Sequence, residues 1–114
     1  MQIIRGKVQR GAGRGKILGY PTVNLPLKDS TISGVYSALV YLDNKSPHVA
    51  AVFADTVREI IEAHLLDFQD EIYGLNVKIE LHKKIRDSRK FNNDDELKTA
   101  IEEDVVKIRK YFID

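Results

Sequence analysis

Leu75, Val77, Ile79 and Leu81 alternate with Asn76, Lys78, Glu80 and His82. A period of two this regular specifies a β-strand with one dry face and one wet face. One such strand cannot bury its dry face alone, so the rest of the chain is read for partners. Gly34 to Leu42 is rich in β-branched and aromatic residues and is entered through a glycine, which reads as a second, longer strand. Asp43, Asn44 and Lys45 supply a turn, His48 to Ala54 a returning strand, and Gln2 to Val8 a short strand near the start.

The last segment keeps a different period. Leu97, Ile101, Val105, Ile108 and Phe112 form one apolar stripe at helical spacing, Asn93 and Glu96 have the spacing of a capping box, and acids crowd the first turn while Lys107, Arg109 and Lys110 crowd the last. An amphipathic C-terminal helix follows, and its stripe needs a surface. Val57 to Leu66 stays open at this level, because Val57, Ile60, Ile61 and Leu65 share a helical face behind a Thr56 cap, while the segment is equally able to run as a strand. Strands followed by one helix point to an antiparallel β domain with the helix packed outside it. A chain of 114 residues that is 43% hydrophobic suits one such domain, residues 1–114.

Charge narrows the partners. The 18 Lys and Arg nearly balance the 17 Asp and Glu, yet Arg5, Lys7, Arg10, Arg14, Lys16 and Lys28 all precede the first carboxylate. The positive potential therefore lies at the N-terminal end. A small basic barrel for single-stranded nucleic acid would need an aromatic stacking platform there, which the segment lacks, so no nucleic-acid partner is expected. No apolar run approaches membrane-spanning length, so no membrane partner is expected either. With no cysteine and no leader-like start, a cytoplasmic protein is expected.

Five of the seven glycines (Gly6, Gly11, Gly13, Gly15 and Gly19) fall within the first nineteen residues. The stretch is not a Walker A loop, since Ile17 stands where Ser or Thr is required after Gly15-Lys16, and Gly11, Gly13 and Gly15 miss the dinucleotide-binding spacing. A cradle of backbone amides for an anion, with Arg14 and Lys16 adding charge, and a plain glycine-rich hairpin both remain open. Pro21 then stiffens the chain ahead of Thr22 and Asn24, which project to one side of an extended backbone. Their hydroxyl and amide oxygens suit magnesium, although bonding to nearby backbone would use the same atoms.

Several segments now fall into one order. Gly6-Lys7-Val8-Gln9-Arg10-Gly11 is followed by Gly15-Lys16-Ile17-Leu18-Gly19-Tyr20-Pro21-Thr22-Val23-Asn24-Leu25, by Gly34-Val35-Tyr36, by Glu62-Ala63-His64-Leu65-Leu66-Asp67-Phe68 with Tyr73-Gly74, and by Ile85-Arg86 with Lys90-Phe91. The set resembles the riboflavin kinase family, whose opening signature is Gly-x-Val, a glycine-rich loop, and Gly-Arg-x-Leu-Gly-(Phe or Tyr)-Pro-Thr-Ala-Asn-Leu. The resemblance implies a mostly β fold, a six-stranded antiparallel Greek-key barrel with a C-terminal helix packed on it, and it makes Glu62 to Leu66 a barrel strand. It implies ATP-dependent phosphorylation of the terminal ribityl hydroxyl of riboflavin, giving FMN and ADP, with magnesium as cofactor; separately, a monomeric protein is expected.

In the same resemblance Glu62 matches the catalytic base, and Thr22 and Asn24 match the residues that meet magnesium. The segment Gly11, Gly13, Arg14, Gly15, Lys16, Gly19, with Thr22 and Asn24, matches the nucleotide-binding positions, and Arg86 and Phe91 match the loop over the flavin. His64 is read as structural, Tyr36 as core, and Asp67, Phe68 and Tyr73 as shaping the turn and core. Two departures stand out: Lys16 replaces the usual arginine, and Val49 to Val57 lacks the Asn-Ile-Gly and Pro-Thr that members usually carry before the base. The alternative they leave is a barrel that binds flavin or nucleotide with weakened catalysis.

Overall fold

The computed structural model describes residues 2–7, 22–67 and 74–113. Along the chain it places β1 (Gln2–Lys7), β2 (Thr22–Pro26), β3 (Gly34–Leu42), β4 (Pro47–Asp55), β5 (Ile60–Leu65), β6 (Asn76–Arg86) and α1 (Asp94–Ile113). Val8, the glycine-rich segment through Pro21, and Phe68 and Tyr73 lie outside the described residues. All pairings are antiparallel, in the order β1-β6-β3-β4-β5-β2, and the sheet curls into a half-barrel. The barrel expected from the sequence takes this form, with β1 and β2 as its edges among the described residues. A Cβ on Gly6 of β1 would lie 2.7 Å from Leu25 Cδ2 of β2, so the two edges approach each other at a side-chain seam.

The inner face is a single apolar core built from alternate residues, among them Val23 and Leu25, Val40, Val52, Ile61 and Leu65, and Val77, Ile79 and Leu81. The period of two at Leu75 to Leu81 thus points where the sequence predicts. The outer face carries the helix: Ile101, Val105 and Ile108 pack with Ala51 and Leu66, flanked by Val49, Phe53, Leu97 and Phe112. Tyr36 packs against the inner core from a half-buried position, and its hydroxyl accepts the Ser33 N–H.

Local chemistry sets the connections. Asp43 and Asn44 both hold left-handed φ values, 50° and 62°, as a two-residue hairpin turn demands. Gly34 has φ +96°, and a Cβ there would sit 2.4 Å from the Arg86 carbonyl oxygen, so both its conformation and its surroundings require glycine where β3 starts beside β6. Between β2 and β3, Asp29 accepts the Thr31 hydroxyl at 2.6 Å and its N–H at 2.9 Å, and these bonds hold its carboxyl below the ordinary value.

The open stretch resolves in favour of the strand. Residues 60–65 form two ladders, to β4 on one side and β2 on the other, which a helix would forfeit. Thr56 does not open a helix. Residues 56–59 turn instead, with Asp55 Oδ1 accepting the N–H groups of Val57 (3.1 Å) and Arg58 (3.0 Å), and Val57 is 92% exposed.

At α1, Asn93 Oδ1 accepts the Glu96 N–H at 2.9 Å, while the Glu96 carboxylate accepts the N–H of Asn92, one residue before the cap, at 3.1 Å. The first amides of a helix have no intrahelical partner, and the Asn93 side chain satisfies one of them. Asn93→Ala is expected to cost about 1 kcal/mol of stability, and an unchanged urea midpoint would count against the cap. Among the described residues no helix is long and apolar enough to cross a membrane.

Candidate active site

Thr22 and Asn24 alternate with the core residues Val23 and Leu25, which turns their side chains to the outer face of the half-barrel. Glu62 and His64 alternate in the same way with Ile61, Ala63 and Leu65. The antiparallel register then sets Asn24 directly opposite Glu62 and Thr22 directly opposite His64. Four polar side chains therefore gather on one wall, two rungs deep. β4 extends the wall with Phe53 beside Glu62 and Ala51 beside His64, and both residues belong to the cluster under α1.

The patch is buried although it is polar. Asn24 is 2% exposed, Glu62 4% and His64 1%. Buried polar atoms are nearly always hydrogen-bonded, because an unpaired one gives up its water without compensation. Here Asn24 Oδ1 and both ring nitrogens of His64 are buried without a hydrogen-bond partner among the described residues. Two longer polar approaches meet Glu62: His64 Nε2 lies 3.5 Å from its Oε2, and Arg58 Nη1 lies 3.9 Å from its Oε1. The His64 ring is held by Phe53, with centroids 4.6 Å apart and planes inclined by 39°.

A cation fits the donor set. Asn24 Oδ1 is an oxygen with no bond to break, next to a hydroxyl oxygen, and hard cations such as magnesium take oxygen ligands while keeping waters and substrate phosphates as the rest of their shell. No group of three or more His, Cys, Asp or Glu gathers as a metal cage among the described residues. A cation here would lean on neutral oxygens.

The register also relates this patch to Arg86. Asn24, Glu62, Phe53, Val35 and Arg86 form one row across β2, β5, β4, β3 and β6. Three strand spacings, about 14 Å along the sheet, separate Arg86 from Glu62. The Arg86 guanidinium donates to Asp104 of α1 through Nε (2.9 Å) and Nη2 (2.8 Å), and through Nη1 to the Asp87 carbonyl (3.1 Å). It anchors the segment after β6 to the helix. Lys84 Nζ reaches Asp87 at 2.7 Å, a hydrogen bond that pushes the lysine up and the aspartate down from their ordinary values. Phe91 lies in the segment so anchored, 5.8 Å from the Arg86 guanidinium carbon and 5.0 Å from that of Arg89, and it lines an open cavity of about 430 Å³ with Lys90, Asp95, Glu96 and Thr99.

Gly11, Gly13, Arg14, Gly15, Lys16 and Gly19 lie outside the described residues. Of the other site residues, Thr22, Asn24 and Glu62 come together, and Arg86 and Phe91 form a second group. Asp104 and Arg58 escape the sequence reading. Asp104 gives a signal in retrospect: it stands on the apolar stripe, three residues from Ile101 and four from Ile108. Asp67 shapes its corner by accepting both bonds of Arg109 Nη1 at 3.0 Å.

The class defined here is a small antiparallel half-barrel with a helix on its outer wall and a buried polar patch on that same wall. The riboflavin kinase family matches residues 2–112, and the chain belongs to that family. The bifunctional riboflavin kinase/FMN adenylyltransferases of Escherichia coli strain K12 and Bacillus subtilis strain 168 are 34% and 36% identical to it, each across 96% of the chain. The chain spans 37% and 38% of the length of those two relatives. A solved structure described as a macrolide-efflux protein from Streptococcus pneumoniae shares the fold at TM-score 0.76 and 31% identity, over 94% of this chain and 36% of that one.

Proposed function

We propose that the chain transfers the γ-phosphoryl group of ATP to the terminal ribityl hydroxyl of riboflavin, giving FMN and ADP. The observation that carries this reading is the register of β2 on β5, which sets Asn24 opposite Glu62 within the family's signature. An alcohol is a poor nucleophile until its proton leaves, and Glu62 takes that proton as the oxygen attacks phosphorus. The transferred group asks for alignment and charge neutralisation more than covalent help. Thr22 and Asn24 would hold magnesium by their side-chain oxygens, and its charge would offset that of the phosphate oxygens. Gly11, Gly13, Arg14, Gly15, Lys16 and Gly19 cradle the nucleotide phosphates with backbone amides and two cations. Phe91 faces the flavin from the segment that Arg86 anchors.

Incubation of the purified chain with ATP, magnesium and riboflavin is expected to give FMN and ADP in equal amounts on chromatography. Chelation of divalent cations is expected to stop the reaction and their return to restore it. Flavin that binds but stays unphosphorylated would replace this reading with the weakened binding barrel, which the missing Asn-Ile-Gly and Pro-Thr before Glu62 favour.

A further inference from the structure

The proposed mechanism leaves His64 unused, yet it is the most anomalous side chain in the patch. A neutral imidazole offers one donor and one acceptor, and burying both unpaired is costly. His64 is 1% exposed, both of its nitrogens lack a hydrogen-bond partner among the described residues, and Nε2 points toward the buried oxygen of Glu62 at 3.5 Å. Its ring cannot easily turn away, because Phe53 lies against it. Resting on the reading of Glu62 as base, we propose that His64 is a positioning residue, whose Nε2–H donates to Glu62 Oε2 and fixes the carboxylate so that its other oxygen meets the substrate hydroxyl.

The distance is consistent with that role. Hydrogen bonds around a reacting group are often long before substrate binds and tighten in the complex. A carboxylate held by one oxygen cannot swing about its terminal torsion, which is broad when nothing holds it. The contact fixes the tautomer as well. If Nε2 donates to Glu62, the proton sits on Nε2 and Nδ1 is bare.

Three measurements test this. His64→Leu keeps an apolar body against Phe53 and removes the donor, and its kcat is expected to fall on the order of 10²-fold, with KM for riboflavin and ATP near the parental values. His64→Gln returns an N–H at similar reach and is expected to recover most of that loss. Placed on a Glu62→Gln background, His64→Leu should add almost nothing, since its effect passes through Glu62. Parental turnover by His64→Leu, or losses that multiply in the double variant, would overturn the proposal. Should the variants not fold, long-range ¹H–¹⁵N correlation spectra of the unaltered protein decide it: the Nε2–H tautomer is expected, and the Nδ1–H tautomer rejects the contact. Absence of FMN from the unaltered protein would remove the base reading itself, while the tautomer still reports whether His64 donates to Glu62.

Discussion

Glu62→Gln is expected to lower the rate of FMN formation by about 10²- to 10⁴-fold, the range a positioned general base contributes. The substitution is nearly isosteric, so the packing of the outer wall against Phe53 and the pairing with Asn24 are preserved. What disappears is a group able to take a proton. Nucleotide affinity, measured by calorimetry, is expected to stay near the parental value, because the proposed phosphate contacts lie on β2 and in the segment before it. A variant that phosphorylates riboflavin at the parental rate would end the assignment of Glu62 as base.

The second large effect concerns stability. Asp104 has a side chain 2% exposed between Ile101 and Ile108, and Arg86 supplies both of its charge-assisted bonds. Arg86→Ala leaves that carboxylate buried and unpaired, which is expected to cost about 3–5 kcal/mol. Replacing both partners, as in Arg86→Met with Asp104→Leu, is expected to recover most of the loss, since a well-packed apolar pair avoids the desolvation that the ions suffer. Urea unfolding of the two variants reads this directly. Equal midpoints for Arg86→Ala and the parent would show that the pair does not hold α1 to β6.

These two sites differ in how far the sequence alone reveals them. The helix, its Asn93 cap and its apolar stripe depend on neighbours three or four residues apart, so local spacing is enough. The hairpin at Asp43 and Asn44 is legible for the same reason. Residues 57–66 are not, because strand and helix periods fit them equally and the deciding bonds come from β4 and β2. Asp104 reads as one more acid on a charged helix until a cation from β6 is brought to it. The family signature points to Thr22, Asn24 and Glu62 separately. That His64 shares a face with Glu62 is local alternation along β5, whereas the facing of Asn24 and Glu62 follows only from a register between segments some forty residues apart.

The seam at Gly6 and Leu25 has a mechanical consequence. Among the described residues β2 is an edge strand paired with β5, so a five-rung ladder sets Thr22 and Asn24 against that strand. Every fluctuation of that ladder changes the separation between the oxygen pair and Glu62. A one-residue slip would go further, turning Val23 and Leu25 outward and the polar pair into the core. The penalty for wetting Val23 and Leu25 therefore guards the spacing of the reacting groups, and the packing of the barrel interior serves as the gauge that keeps the outer wall in adjustment.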